Sequence, residues 1–221
     1  MKKYLFTKKT LVEVVGNVAS GKTTLSRKLP SVTNLKYQDT DLFENNPFMI
    51  PSVEDPKRWV FTEELYFYYL RSKKLPEVLK ALKKSPLVLD QGFHMPSFMY
   101  TNNRLRQGHM TNDEYNFIND LFVALTKDAP IPDIVVFLDV PITELTKRMD
   151  KRGRNADREH EKLYTKEYLE QLNQGLLEYI GQMKNTAKSV IVYSKLKDKI
   201  ESFGDQNESL EKIIYEQLHS F

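Results

Sequence analysis

The sequence contains no cysteine. That excludes disulfides and thiolate metal sites, and it fits a reducing compartment such as the cytoplasm. No apolar run reaches the ~18 residues that a membrane-spanning helix needs, so no membrane partner is expected. Charge of one sign is not in excess either: 33 Lys and Arg nearly balance 30 Asp and Glu, for a net +3. That balance argues against nucleic acid as the main partner. Internal repeats and low-complexity linkers are absent, so the 221 residues are expected to form one domain, 1–221. The opening MKKYLFTKKTLVEVVG begins like a signal peptide. Its apolar stretch is short, broken by lysine and runs straight into a glycine motif, so it reads as the lead into a strand.

What is present is an ordinary globular composition, 40% apolar and 29% charged. Five short apolar runs read as buried strands: Leu11–Val15, Leu35–Tyr37, Leu87–Leu89, Ile134–Leu138 and Val190–Tyr193. Helical periodicity fills the intervals at Lys22–Lys28, Pro56–Ser72, Pro76–Lys83, Asn112–Leu125, Ile142–Lys151, Lys166–Lys184 and Ser209–His219. Thr111 followed by Glu114 forms a capping-box pattern. Alternating strands and helices predict a three-layer α/β fold, a five-stranded parallel sheet flanked by helices. In such sheets ligands bind beyond the carboxyl ends of the strands.

The first strand leads into Gly16-Asn17-Val18-Ala19-Ser20-Gly21-Lys22-Thr23, which fits G-x-x-x-x-G-K-[ST] at every position. Two glycines permit a tight loop whose amides turn toward phosphate oxygens. Lys22 supplies a cation for the β- and γ-phosphates, and the Thr23 hydroxyl suits Mg²⁺. The pattern predicts that ATP or a similar nucleoside triphosphate binds over Gly16, Asn17, Ala19, Ser20, Gly21, Lys22, Thr23 and Thr24.

Two further strands end in acids. Asp90 closes Leu87–Leu89 and is a candidate second anchor for Mg²⁺, against the alternative of a helix-capping surface Asp. Asp39 and Asp41 follow Leu35–Tyr37, and either is a candidate to accept a hydroxyl proton. The stretch TKRMDKRGRNADR places Arg148 and Arg152 four apart, on one helix face, with Arg154 just past Gly153. Several guanidinium groups closing over a phosphate chain stabilise a transferring phosphoryl group and exclude water. Alone, the cluster would read as a salt-bridged helix end; downstream of a phosphate loop it reads as a lid over about 152–162.

Together these residues resemble the deoxynucleoside kinase family, which phosphorylates the 5′-hydroxyl of deoxynucleosides with ATP and Mg²⁺. Gly16–Thr24 is similar to its GNxxSGKST loop, and Arg148–Arg154 with the following EYLEQLN to its RxxxRGR lid and trailing YLExL helix. DPKRWVF at 55–61 is similar to its DPxRWxF segment. Asp41, six residues before Pro47, stands where the family carries its general base. The resemblance implies a P-loop kinase fold with an arginine-rich lid and a homodimer built on the helices after Pro96 and Asn112. It makes Asp41, Lys22, Arg148, Arg152 and Arg154 catalytic and puts Mg²⁺ between Thr23 and Asp90. It further implies base contact by Arg71, a sugar contact by Asp157, and an adenine loop at Ser194–Asp198.

The acceptor side departs from the family pattern. The family's (D/E)RS is Asp90-Gln91-Gly92 here, its base-pairing glutamine is Glu64, its base-reading aspartate is Pro96 and its sugar-holding tyrosine is Val53. Gln91 lacks a guanidinium charge, and an ionised Glu64 accepts hydrogen bonds without donating them. Trp59, Glu64, Arg71, Gln91 and Asp157 are therefore the candidate acceptor-binding set, with Phe61 a further candidate wall of the pocket. His94 is expected to be a partly exposed loop residue, and Phe61, Tyr66, Phe67, Tyr68 and Tyr69 mostly core. The expected activity is phosphotransfer to a small-molecule acceptor, a nucleoside. The alternative is a nucleotide-binding regulatory protein that has lost turnover.

Overall fold

The computed structural model describes residues 4–40, 46–152 and 164–220, with the backbone alone at Arg152. The five expected strands are Leu11–Gly16 (β1), Lys36–Gln38 (β2), Leu87–Asp90 (β3), Ile134–Asp139 (β4) and Ser189–Ser194 (β5). They pair in parallel in the order β2-β3-β1-β4-β5. A sixth strand, Lys199–Gly204 (β6), extends the sheet antiparallel to β5 and corrects the expected count. Its sequence, KIESFG, is mixed in polarity and largely solvent-facing, so it carries no apolar signal. Its pairing with β5 comes from the tight turn Lys195–Asp198, where Asp198 adopts φ 47°.

Helices pack on both faces of the sheet. They are Lys22–Val32 (α1), Met49–Glu54 (α2), Pro56–Leu82 (α3), Asn102–Arg106 (α4), Asn112–Thr126 (α5), Ile142–Arg152 (α6), Lys166–Thr186 (α7) and Glu208–His219 (α8). A π-helical turn at Ser97–Thr101 runs into α4. The period-2 alternation of β4 divides the core. Val136 and Leu138 join Leu25, Leu29, Leu145 and Ile214 from α1, α6 and α8. Val135 and Phe137 join Leu172, Leu176 and Tyr179 from α7, with Met95 and Met99. These are the three layers the sequence predicts.

Two expected helices, Pro56–Ser72 and Pro76–Lys83, are one. Proline ordinarily breaks a helix by removing a donor and crowding the preceding turn. Here Pro76 sits on the exposed side of α3 while its neighbours Leu75 and Val78 are buried against β3. The apolar face outweighs the lost bond. The Thr111–Glu114 capping box forms as expected, Thr111 N–H donating to Glu114 Oε2 at 2.8 Å and Glu114 N–H to Thr111 Oγ1 at 3.2 Å. The aromatic stripe of α3 is divided by helical rotation: Tyr68 is buried, Phe61, Tyr66 and Phe67 are half-buried, and Tyr69 is exposed, contrary to its expected core position.

Helix α7 crosses the π-helical turn at Gly175. A Cβ there would lie 2.2 Å from the Phe98 carbonyl oxygen and 2.9 Å from the Met99 Cα, both backbone atoms. Gly175→Ala is therefore expected to cost about 1–3 kcal/mol, as overpacking does, read as a lowered urea midpoint at unchanged slope.

Candidate functional site

The end of β1 supplies the phosphate-binding geometry. All six residues of the strand are buried, so the chain emerges from a fixed base into the loop. A Cβ at Gly16 would lie 2.5 Å from Ser20 Oγ and 3.1 Å from the Leu138 carbonyl, so the loop folds back where only glycine fits. Ala19 and Gly21 take positive φ, 62° and 100°. Gly21 is the N-cap of α1, and no described side chain caps that helix, so its first amides are available to an anion. Ser20 N–H closes the loop on the Asn17 carbonyl at 3.1 Å, and Lys22 Nζ reaches the same oxygen at 3.4 Å. Thr23 is half-buried and Thr24 exposed.

The buried Asn17 side chain ties this loop to α7. Its Nδ2 donates to the Leu169 carbonyl at 2.8 Å, and its Oδ1 accepts the Val18 N–H at 2.8 Å. Arg148, on α6, lies against the loop from the other side. Its Nη1 donates to the carbonyls of Ser20 (3.1 Å) and Ala19 (3.3 Å), while its Nε pairs with Glu144 at 2.9 Å. The structure thus brings Arg148 to the phosphate loop. Asp41, Arg154 and Asp157, and the side chain of Arg152, lie outside the described residues.

Asp90 is buried at the tip of β3, opposite Val14 in the register with β1, which sets it beside the loop. Thr40, at the end of the β2 segment, places its hydroxyl 2.7 Å from the carbonyls of both Asp90 and Gln91. Thr23 and Asp90 offer one hydroxyl and one carboxylate. This hard-oxygen set suits Mg²⁺, which takes few protein ligands and completes its shell with phosphate and water.

The candidate acceptor residues line a second group of contacts. Trp59 stacks on Phe48 with ring centroids 5.7 Å apart and an interplanar angle of 22°, and the Arg58 guanidinium lies over the Trp59 ring at 5.0 Å. Arg71 lies over Phe67 at 5.5 Å. Glu64 is buried, and its Oε2 accepts the Thr101 hydroxyl at 2.7 Å. Burial pushes the Glu64 carboxyl above its ordinary range, while Arg104, Thr101 and Arg71 pull it back. Gln91 takes φ 62° and sends its amide toward the Tyr100 hydroxyl at 3.4 Å. Val53 is half-buried and Pro96 buried.

Sequence reasoning missed two charged groups here. Arg104, on α4, donates to Glu63 at 3.0 Å and stands 4.0 Å from Glu64, so it brings a half-buried guanidinium beside the acceptor set. Burial pushes Glu63 up to about 7 against the pull of Arg104. The second is Glu13, 1% exposed in the middle of β1, accepting hydrogen bonds from Gly92 N–H and Tyr179 O–H, each at 2.5 Å. One acid inside the otherwise apolar LVEVVG was the available signal; Arg104 had none, because its partners come from α3. His94, expected to be partly exposed, is half-buried with its ring edge toward Phe122, and burial lowers its pKa. It lines a cavity of about 510 Å³ with Phe98, Phe122 and Val123, none of them from the phosphate loop. The Ser194–Asp198 segment forms the β5–β6 turn, where Asp198 accepts the Tyr193 hydroxyl and pairs with His219.

Residues 12–219 match the family model described as deoxynucleoside kinase. The chain is similar to a deoxyadenosine/deoxycytidine kinase of Bacillus subtilis (strain 168), 25% identical over 169 residues that cover 76% of each chain. It is also similar to a deoxyguanosine kinase of Lactobacillus johnsonii, 26% identical over 93% of this chain and 91% of that one. A solved deoxyadenosine kinase from M. mycoides with bound dCTP superposes with a TM-score of 0.71 at 22% identity, covering 96% of this chain and 100% of that one.

Burial raises Glu13 from 4.5 to about 7, with Tyr179 and Gly92 opposing the shift. A raised acid favours the folded state most below pH 4.5, and that advantage is lost as pH climbs to about 7. Glu13→Gln removes the titration. Relative to the native protein, this variant is expected to gain on the order of 3 kcal/mol of stability between acid and mildly alkaline pH, measured by urea unfolding across that range.

Proposed function

Because the chain belongs to the deoxynucleoside kinase family, whose members transfer phosphate from ATP to a nucleoside hydroxyl, we propose that it phosphorylates the 5′-hydroxyl of a nucleoside, most simply a deoxynucleoside, with Asp41 as general base. The observation that carries this reading is the pairing of an α1 N-terminus that no described side chain caps with Asp90 beside it, the two elements that Mg·ATP requires. The phosphates of ATP rest on the amides of the loop, with Lys22 at the β- and γ-phosphates. Arg148, with Arg152 and Arg154, stabilises charge on the transferring group. When bound between Thr23 and Asp90, Mg²⁺ neutralises phosphate oxygens. Rate enhancement then comes from positioning and electrostatics rather than covalent chemistry.

The acceptor lies toward Trp59, Glu64, Arg71 and Gln91, with Asp157 at the sugar. The relatives named above are kinases, which favours turnover over a purely regulatory role. The protein acts as one domain in the cytoplasm, without a membrane or nucleic-acid partner. A homodimer formed on the π-helical turn and α5 is supported by the exposed Phe117 and Val123 on α5.

Lys22→Ala is expected to abolish ATP binding, measured by titration with a fluorescent ATP analogue; an unchanged Kd refutes the loop assignment. Asp41→Asn is expected to retain ATP binding while losing at least about 100-fold in kcat, the usual scale of general-base catalysis, in an ADP-release assay run over the common nucleosides. Equal turnover removes Asp41 from the mechanism.

A further inference from the structure

Glu13 calls for an explanation. An acid in the middle of a buried parallel strand opposes folding, and apolar residues would pack there at no such cost. Its two contacts indicate a use. Oε1 takes the Gly92 N–H and Oε2 takes the Tyr179 hydroxyl. A Cβ at position 92 would lie 2.6 Å from Oε1, so the close approach depends on glycine there. The left-handed Gln91 immediately before it lies between this amide and Asp90. Glu13 thus grips one side of the Asp90–Gly92 turn. Asp90 itself stands opposite Val14 in the β1–β3 register, one residue along β1 and therefore on the alternate face.

We propose that Glu13 is a positioning residue for phosphotransfer, fastening the Asp90–Gly92 turn to helix α7 through Gly92 and Tyr179. The proposal rests on the phosphotransfer reading above. Helix α7 is an appropriate anchor because it also holds the phosphate loop through Asn17 and Leu169, and abuts the π-helical turn at Gly175. The fastening makes the nucleotide side and the turn that follows β3 move with one helix.

The contact is sensitive to protonation. An ionised carboxylate accepts both donors. Once protonated, one oxygen must donate; an amide N–H cannot receive that proton, so Tyr179 must reverse its hydroxyl, and the bond to Gly92 becomes a weaker neutral one. Tyr179, on α7, is the titratable group bonded to Glu13. The same packed face holds Val15 on β1, Val135 and Phe137 on β4, Met95 and Met99 before and within the π-helical turn, and Leu172 and Leu176 on α7, together with the titratable Tyr168 on α7 and Tyr100 and Tyr164 packed against the cluster. Burial places the ionisation at about 7, within the working range of an enzyme.

Glu13→Gln reproduces the neutral arrangement, with its amide oxygen toward Gly92 and its amide nitrogen toward Tyr179. The experiment measures kcat and KM for nucleoside against pH in the native protein and in Glu13→Gln, and follows the Gly92 amide proton by NMR across the same range. In the native protein kcat is expected to rise about five-fold through neutrality, the difference between a charged and a neutral hydrogen bond, with the Gly92 signal titrating in step. In Glu13→Gln both should be flat, at the acid-side level of the native enzyme, with the Kd for ATP unchanged. Tyr179→Phe should move the midpoint upward, since the hydroxyl stabilises the charge. Glu13→Gln with the native kcat profile, or a native Gly92 signal that does not titrate, overturns the proposal. Native protein that turns over no nucleoside overturns the phosphotransfer reading and, with it, a role for Glu13 in the reaction, whereas turnover with an unchanged Glu13→Gln profile removes Glu13 alone.

Discussion

Strand β1 runs between β3 and β4 with every residue buried, and its parallel pairing to both is the constraint on which the site depends. Parallel neighbours end at the same edge of the sheet, so the phosphate loop after Gly16 and the carboxylate of Asp90 emerge side by side without any side chain directing them there. The amides of α1 follow because Gly21, in a left-handed conformation, turns the loop directly into the helix. Arg148 then needs only one face of α6 to reach the loop carbonyls. Strand order, a property of the whole chain, thus sets distances between a few atoms.

Helix α7 adds a second constraint. It meets the loop through a buried amide, the π-helical turn through a glycine and β1 through a tyrosine. Gly175 and Tyr179 are residues that an amphipathic helix would not need for packing alone, whereas the first contact uses the Leu169 carbonyl and the side chain of the loop's Asn17. In the sequence, the lid expected over about 152–162 immediately precedes this helix. A helix bonded to the phosphate loop directly and to the Asp90–Gly92 turn through Glu13 ties the two to one element.

What the sequence made legible, and what it did not, follows from how local each signal is. The five buried strands are continuous apolar runs, and the phosphate loop is eight consecutive residues, so both could be read directly. Strand β6 was illegible because an edge strand is defined by its partner's backbone rather than by its own apolarity. The fusion of two helices into α3 was hidden by Pro76, whose cost is local while the burial that offsets it comes from β3. Arg104 was missed because α4 is short and its acidic partners lie some forty residues earlier, at Glu63 and Glu64. Family likeness carried the reading where local pattern stopped, along residues 12–219.

Strand β6 has a further consequence. It ends one side of the sheet with the Lys199–Glu201 ion pair at 2.8 Å, and β2 ends the other with a strand of only three residues. A charged border and a truncated one both discourage a second sheet from docking edge to edge. Growth of the sheet by strand addition is thereby disfavoured at both of its borders, and the helical flanks remain as the broad outer surface of the layers.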